Sequence, residues 1–183
     1  MGTIRPCKLP SDALLNRYLA SGAYADCYVT EVALRVSHAE FVEAFYTTTV
    51  FKLERLILRA FVSRPSTDAQ AGQLARGELS SFAAWSVEGR APNQLLLSDV
   101  SGRTRSWLMV AVSEKPDPVR TRLYFGSAIV PLRSLHTGKT SLGPVFSALL
   151  GFHKLYSWVL LRAARHRLSR KPADNTHVRR GDA

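Results

Sequence analysis

Few residues in this 183-residue chain can do proton or ligand chemistry from inside a fold, and they stand in three places. His153 lies in an apolar run, with Leu149 one turn before it and Tyr156 one turn after it, at the spacing of a single helix face. An imidazole there can act as a general acid or base or orient a ligand. It can equally be a core histidine bonded to a backbone carbonyl or to Tyr156. In the second place, Glu54 and Arg55 are neighbours in a mostly apolar helix, so they point about 100° apart and one at most faces inward. A buried member needs a partner, because an unpaired interior charge costs several kcal/mol. That partner is either the polar end of a ligand or an ion pair drawn from Arg105, Arg122 or Asp99, while solvent exposure is the commoner fate of such residues.

The third place is a pair of arginine-bearing strands. In "RTRSWLMV", Arg103, Arg105, Trp107 and Met109 share one face by the two-residue period, and Arg120, Arg122, Tyr124 and Gly126 do so in the next strand. Arginines near a turn with aromatics deeper in suit an anion-recognising mouth, and a solvated outer face has the same pattern. The opposite face, with Leu108, Val110, Val112, Leu123, Phe125 and Ile129, is strongly apolar and is the expected inner face. Trp85 and Val87 fall on one face or the other with the register of their strand. Gly126 in mid-strand marks a bulge or a close approach by a helix or ligand.

Other chemistries find little support. Two cysteines, Cys7 and Cys27, make neither a disulfide framework nor a metal-binding spacing, so no metal or cofactor is implied and a reduced cytoplasm is the default compartment. No Ser-His-Asp or Cys-His pairing can be argued from spacing. The net charge of +11 is concentrated late: eight Lys and Arg between Lys154 and Arg180 face one acid, Asp174. A basic tail of this kind can touch an anionic membrane surface, but no helix-turn-helix, zinc finger or RNA-binding aromatic pair supports specific nucleic-acid recognition. The helix macrodipole accounts for part of the cluster without any partner.

These residues must be positioned by elements in the order β-α-α-β-β-β-β-α. Residues 1–22, broken by Pro6 and Pro10 and lacking a signal-peptide apolar run, read as a mobile lead-in. Tyr24 to Leu34 is rich in Val, Thr and Tyr and reads as a strand. Ser37 with Glu40 three residues on has capping-box spacing, and the β-branched Thr47 to Thr49 run divides the stretch from Ser37 to Phe61 into two helices. A short helix ends near Gly77. Four apolar runs from Ser80 onward, separated by turn signals such as Asp99 to Gly102, make an antiparallel meander.

"LGPVFSALLGFHKLYSWVLLRAARHRLSRK" then closes the domain, with Pro144 suited to a first helical turn. A mid-bilayer lysine costs ~3 kcal/mol, so Lys154 near the centre argues against a membrane span. Phe146, Leu149, His153, Tyr156 and Leu160 form an inward stripe, widened by Phe152, Val159 and Ala163. Lys154, Ser157, Arg165 and His166 look outward, and Leu150 and Leu161 sit less comfortably on that side. An interfacial amphipathic helix is the alternative. A single folded domain is expected over residues 23–170, with a disordered basic tail at 171–183.

The stretches "YADCYVTEV", "FYTTTVFKLERLIL", "TRLYFGSAIV" and "GFHKLYSWVLLRAARHRL", in this order of elements, resemble the helix-grip (START-like, SRPBCC) superfamily. Within it the chain looks similar to the uncharacterised bacterial domain-of-unknown-function family numbered 2867. The resemblance implies an α+β fold, a curved antiparallel sheet wrapped around a long C-terminal helix, with an apolar cavity between them. Such cavities bind lipids, polyketides or other hydrophobic molecules. Expected function is therefore binding of a hydrophobic or amphipathic small molecule, with His153, Tyr156, Leu149, Glu54, Arg55, Trp85, Leu108 and Phe125 as ligand-binding candidates. The alternatives are a cyclase, isomerase or hydrolase using His153 or Glu54, and peripheral membrane or nucleic-acid association through the basic C-terminus.

Overall fold

The computed structural model describes residues 3–53, 66–112, 119–130, 132–133, 140–141 and 144–170, with side chains described outside 131–153. Its elements are β1 (Arg5–Pro6), α1 (Asn16–Ala20), β2 (Tyr24–Val32), α2 (His38–Tyr46), α3 (residues 49–53), α4 (Asp68–Arg76), β3 (Ser81–Phe82), β4 (Trp85–Ala91), β5 (Gln94–Asp99), β6 (Thr104–Val112), β7 (Thr121–Ile129), β8 (Leu132–Arg133), β9 (Thr140–Ser141) and α5 (Pro144–Arg170). Glu54, Arg55 and the tail 171–183 lie outside the described residues. The chain is α+β, with a seven-stranded curved antiparallel sheet in the order β1-β2-β7-β6-β5-β4-β3.

Local chemistry sets the boundaries. Ser37 Oγ accepts from the Glu40 N–H while the Glu40 carboxylate accepts from the Ser37 N–H, so the capping box opens α2. Thr47 Oγ1 donates to the Glu43 carbonyl as α2 ends, and Thr48 Oγ1 accepts from the Phe51 N–H, which caps α3. The Thr47 to Thr49 run thus works as both a stop and a start. Gly77, at φ 84°, terminates α4 in the left-handed conformation that a side chain disfavours. In the β5–β6 turn, Asp99 Oδ1 accepts from the N–H groups of Arg103 and Thr104.

One sheet face carries Leu95, Leu97, Leu108, Val110, Leu123 and Phe125, covered by α2, α4 and α5. An aromatic cluster fills this space: Phe45 lies 4.8 Å from Phe125, and Tyr46 lies 4.8 Å from Phe51 and 5.5 Å from Phe82. Leu160, Leu161, Ala164 and Leu168 are the α5 residues in this core.

Two readings of the sequence are corrected here. Ser157 and Leu161, expected on the outer side of α5, are buried at 1% and 0% exposure, whereas Tyr156 is half-buried. The buried stripe runs Ser157, Leu160, Leu161, Ala164, Leu168, rotated from the expected one because Leu161 and Leu168 bring their side of the helix into the core. The lead-in is also not free. β1 pairs with β2, and Leu15 and Ala13 are buried against Cys27, Leu96, Trp107, Met109 and Ala128 on the second sheet face.

That second face is held by a buried amide. Gln94 Oε1 accepts from the Leu14 N–H and from Trp107 Nε1, each at 2.9 Å, while Gln94 Nε2 donates to the Asp12 carbonyl at 3.0 Å. Gly126 is a close approach, as a Cβ there would lie 2.9 Å from Trp107 Cε3, 3.0 Å from the Asp26 carbonyl oxygen and 3.1 Å from Leu15 Cδ2. Gly126→Ala is therefore expected to destabilise the protein by roughly 1–3 kcal/mol in denaturant unfolding. Gly89→Ala, whose Cβ would meet nothing closer than 3.6 Å, should cost under about 1 kcal/mol.

His38, at the first turn of α2, has its pKa pushed down to about 4, first by burial and then by the charge of Arg90, while a backbone hydrogen bond at Leu108 pulls the other way. The unfolded chain then binds more protons than the folded one between pH 6.5 and 4, so His38 contributes stability above pH 6.5 that is lost as the pH falls through that window. His38→Gln should flatten the pH dependence of the unfolding midpoint between those limits, by no more than roughly 3 kcal/mol in total.

Candidate functional site

Toward the β5–β6 turn, the helix-facing side of the sheet changes character. One step in, the strands carry Leu95, Leu108 and Phe125; nearer the turn β6 and β7 carry Thr104, Ser106 and Ser127, with Leu97 of β5 opposite Ser106. Short hydroxyl side chains cannot reach the helices that Leu and Phe reach, so a cavity of about 130 Å3 is left between sheet and helices. Its walls are Phe125, Thr104, Arg105, Ser106, Ser127 and Trp85 from the sheet, Phe45 and Phe51 from α2 and α3, and Tyr156, Ser157 and Leu160 from α5.

Two of the hydroxyls are satisfied internally. Tyr46 Oη and Ser106 Oγ are hydrogen-bonded at 3.2 Å, and Ser127 Oγ donates to Asp26 Oδ1 at 2.6 Å. Two other polar groups on the wall have no hydrogen-bond partner among the described residues, Trp85 Nε1 and Ser157 Oγ, although both atoms are buried. A buried donor left unpaired costs about 1–3 kcal/mol, and native proteins rarely keep one without water, ion or ligand to meet it. The indole can only donate; the Ser157 hydroxyl can do either. The wall is therefore apolar and aromatic with two polar groups open to a guest, one of them a fixed donor.

Arg105 enters this wall from β6, but its guanidinium is engaged on the other side of the sheet. Nε lies 2.5 Å from Glu88 Oε2 and donates to Tyr18 Oη at 2.7 Å, and the group stands 4.7 Å over the Tyr18 ring. Tyr18 also bonds Glu88, and burial followed by that bond raises its pKa. Arg122 pairs with Glu31 at 3.0 Å and Asp99 is spent in its turn, so neither Arg105, Arg122 nor Asp99 stands ready as an unengaged charge. The arginine-bearing face is thus part second core and part ion pairs, neither an open anion mouth nor a plain solvated face.

Of the sequence-derived candidates, Trp85, Phe125 and Tyr156 meet on the cavity wall, while Leu108 is fully buried in the packed core beside it. His153 and Leu149 belong to α5, but their side chains lie outside the described residues, as do Glu54 and Arg55. Sequence reasoning missed Ser106, Ser127 and Ser157. The signal was present: serines at inward positions of β6, β7 and α5, read as ordinary polar residues, mark where the core stops filling. Among the described residues no three His, Cys, Asp or Glu side chains group as a metal site, and no described helix is long and apolar enough to cross a membrane.

No family model and no curated protein matches the chain. Among solved structures, an uncharacterized protein from Rhizobium leguminosarum aligns over 79% of this chain and 97% of that one at 10% identity, with a TM-score of 0.28, a likeness too small to carry an argument.

Ser157→Ala removes an unpartnered buried hydroxyl and leaves its volume almost unchanged. In the ligand-free protein it is expected to be neutral or stabilising by up to about 1 kcal/mol in chemical denaturation. Ser106→Ala, which breaks the bond to Tyr46, should instead cost about 1 kcal/mol.

Proposed function

We propose that this protein binds a hydrophobic or amphipathic small molecule in the cavity between the sheet and α5, in a fold of the helix-grip kind and in a reducing, cytoplasmic setting. The observation that carries the reading is the wall itself: Phe45, Phe51, Phe125 and Leu160 supply an apolar lining, and Trp85 Nε1 and Ser157 Oγ are left without partners in it. The helix-grip assignment rests on the order of elements and on α5 lying against α2, β2 and β7. A cysteine content of two in 183 residues supports the compartment.

Size and polarity narrow the guest. A cavity of about 130 Å3, as bounded by the described residues, takes a ring or a short branched chain, since an engineered cavity of about 150 Å3 admits benzene. Trp85 adds a requirement for an acceptor, such as a carbonyl, ether or carboxylate oxygen, at the edge of that ring or chain. The favoured ligand class is therefore a single aromatic ring or a short branched chain bearing one oxygen acceptor. Acid or base catalysis in the same cavity rests on His153 or Glu54, whose side chains lie outside the described residues.

A second reading has its own observation. No acidic residue occurs in α5, Leu155 is 59% exposed on it, and the Arg162 guanidinium covers the Trp158 ring at 5.1 Å. An apolar and basic exposed stripe of this kind suits an anionic membrane surface, to which a carrier of hydrophobic cargo would deliver.

Native mass spectrometry of the purified chain, compared with the same sample denatured, tests the first reading. A discrete extra mass lost on denaturation is expected. Acetophenone, a single ring bearing one carbonyl acceptor, should raise the melting temperature of the emptied protein, and Trp85→Phe should weaken the retained ligand roughly fivefold to tenfold through loss of one hydrogen bond while leaving the fold intact. An apo mass together with no thermal shift from acetophenone would count against the cavity as a binding site. Retention by vesicles containing phosphatidylglycerol, lost at high salt, would support the surface reading instead.

A further inference from the structure

Continuing the β1–β2 register past Arg5 opposite Val29 and Pro6 opposite Tyr28 sets Cys7 across from Cys27. The Cys7 N–H donates to the Cys27 carbonyl at 2.9 Å, and the two sulfurs are hydrogen-bonded at 3.2 Å. A hydrogen-bonded antiparallel pair has Cα atoms about 5.5 Å apart, within the range a disulfide spans. Closing the bond therefore asks for side-chain rotation and little backbone movement. Cys27 is buried in the second core, whereas Cys7 is half-buried at its margin, where a small oxidant can reach it.

We propose that Cys7 and Cys27 are an oxidisable dithiol, with Cys7 the reacting thiol and Cys27 the resolving one, whose disulfide locks the N-terminal segment onto the sheet. The oxidant is a hydroperoxide. The Cys7 thiolate attacks the distal peroxide oxygen; the S–O bond forms, the O–O bond breaks and the alkoxide or hydroxide leaves with a proton from solvent. Cys27 sulfur then attacks the Cys7 sulfur of the sulfenic acid, the S–O bond breaks and water departs, carrying the proton from Cys27. Two thiols and one hydroperoxide become a disulfide, an alcohol or water, and one further water. A small thiol returns the pair to the reduced state by exchange.

The asymmetry of the pair fits these roles. Hydrogen bonding to Cys27, aided by the positive charge of Arg5 and opposed by burial, holds the Cys7 thiol below its usual range. Cys27 is pushed up, by that same hydrogen bond first and by burial second. The thiolate therefore collects on the accessible sulfur.

The consequence of the bond is visible in the fold. The 20-residue separation between the cysteines encloses Leu14, bonded to Gln94, Leu15, packed on Trp107, and Tyr18, bonded to Arg105 and Glu88. A disulfide closing a loop of this length removes unfolded-state freedom, so the oxidised protein should melt about 6–12 °C above the reduced one.

The experiment treats the full chain with hydrogen peroxide after removal of reductant. The expected result is an intact mass lower by two hydrogens, a proteolytic fragment joining the Cys7 and Cys27 peptides, and a melting temperature raised by about 6–12 °C that dithiothreitol returns to its starting value. Cys7→Ser should melt with the reduced protein and show no response. Oxygen addition without a link, a link between two chains, or an internal link without a thermal shift would each overturn the proposal. The wild-type measurements stand alone if the Cys7→Ser chain fails to fold.

Discussion

The constraint on which this structure depends is that its central strands are apolar on both faces. In β6, Leu108 and Val110 point one way while Trp107 and Met109 point the other, and all four are buried. An antiparallel sheet usually leaves one face to water, and here neither can be left so. The long helices cover one face. Covering the other falls to residues 3–22, which are too short and too broken by proline for a full helix, and which instead lay a β-edge, one helical turn and a buried leucine across the sheet. Irregular backbone over an apolar surface needs partners for its polar groups, and Gln94 supplies them to Leu14 and Asp12 while also satisfying the Trp107 indole. One amide thus reconciles a tryptophan-filled face with a loop-like cover.

Much of this was legible in the sequence where local physics dominates. The capping box at Ser37 and Glu40, the threonine break after Tyr46, the glycine stop at Gly77 and the four strands of the meander act through near neighbours, so spacing alone reveals them. The inner face of β6 and β7 was also readable at Leu108, Val110, Leu123 and Phe125, though Val112, expected on it, is exposed at the end of β6. The phase of α5 was harder. Tyr156 carries far more apolar surface than Ser157, yet the helix buries the serine and leaves the tyrosine half-buried on the cavity wall, because the core is met by the side that carries Leu161 and Leu168. The lead-in was misjudged for a related reason. Its prolines and charges describe the backbone of a loop accurately, but whether a loop packs is decided by the surface beneath it, and Trp107 and Gly126 are far away in sequence.

The cavity arises from the same logic of filling. A sheet whose inward positions were Leu or Phe throughout would meet the helices everywhere; this one changes to Thr104, Ser106 and Ser127 at one end, and the helix opposite presents Ser157. Four hydroxyl residues converging on one region of an otherwise aromatic core lower the apolar burial there, so stability alone does not account for them. Ser106 and Ser127 find protein partners in Tyr46 and Asp26, which fixes the rim. Trp85 Nε1 and Ser157 Oγ do not, so satisfied and unsatisfied polar groups stand side by side on one wall.

The two faces are not independent. Arg105 contributes to the cavity wall from β6, yet its guanidinium is gripped beyond the sheet by Glu88 of β4 and by Tyr18 of the N-terminal cover. Trp85 and Glu88 lie on the same strand and point to opposite faces, Glu88 being the residue left unpaired by the register shift between Val87 and Gly89. The N-terminal segment lines no part of the cavity among the described residues, yet through Tyr18 it holds Arg105, a residue of the cavity wall, from the far side of the sheet.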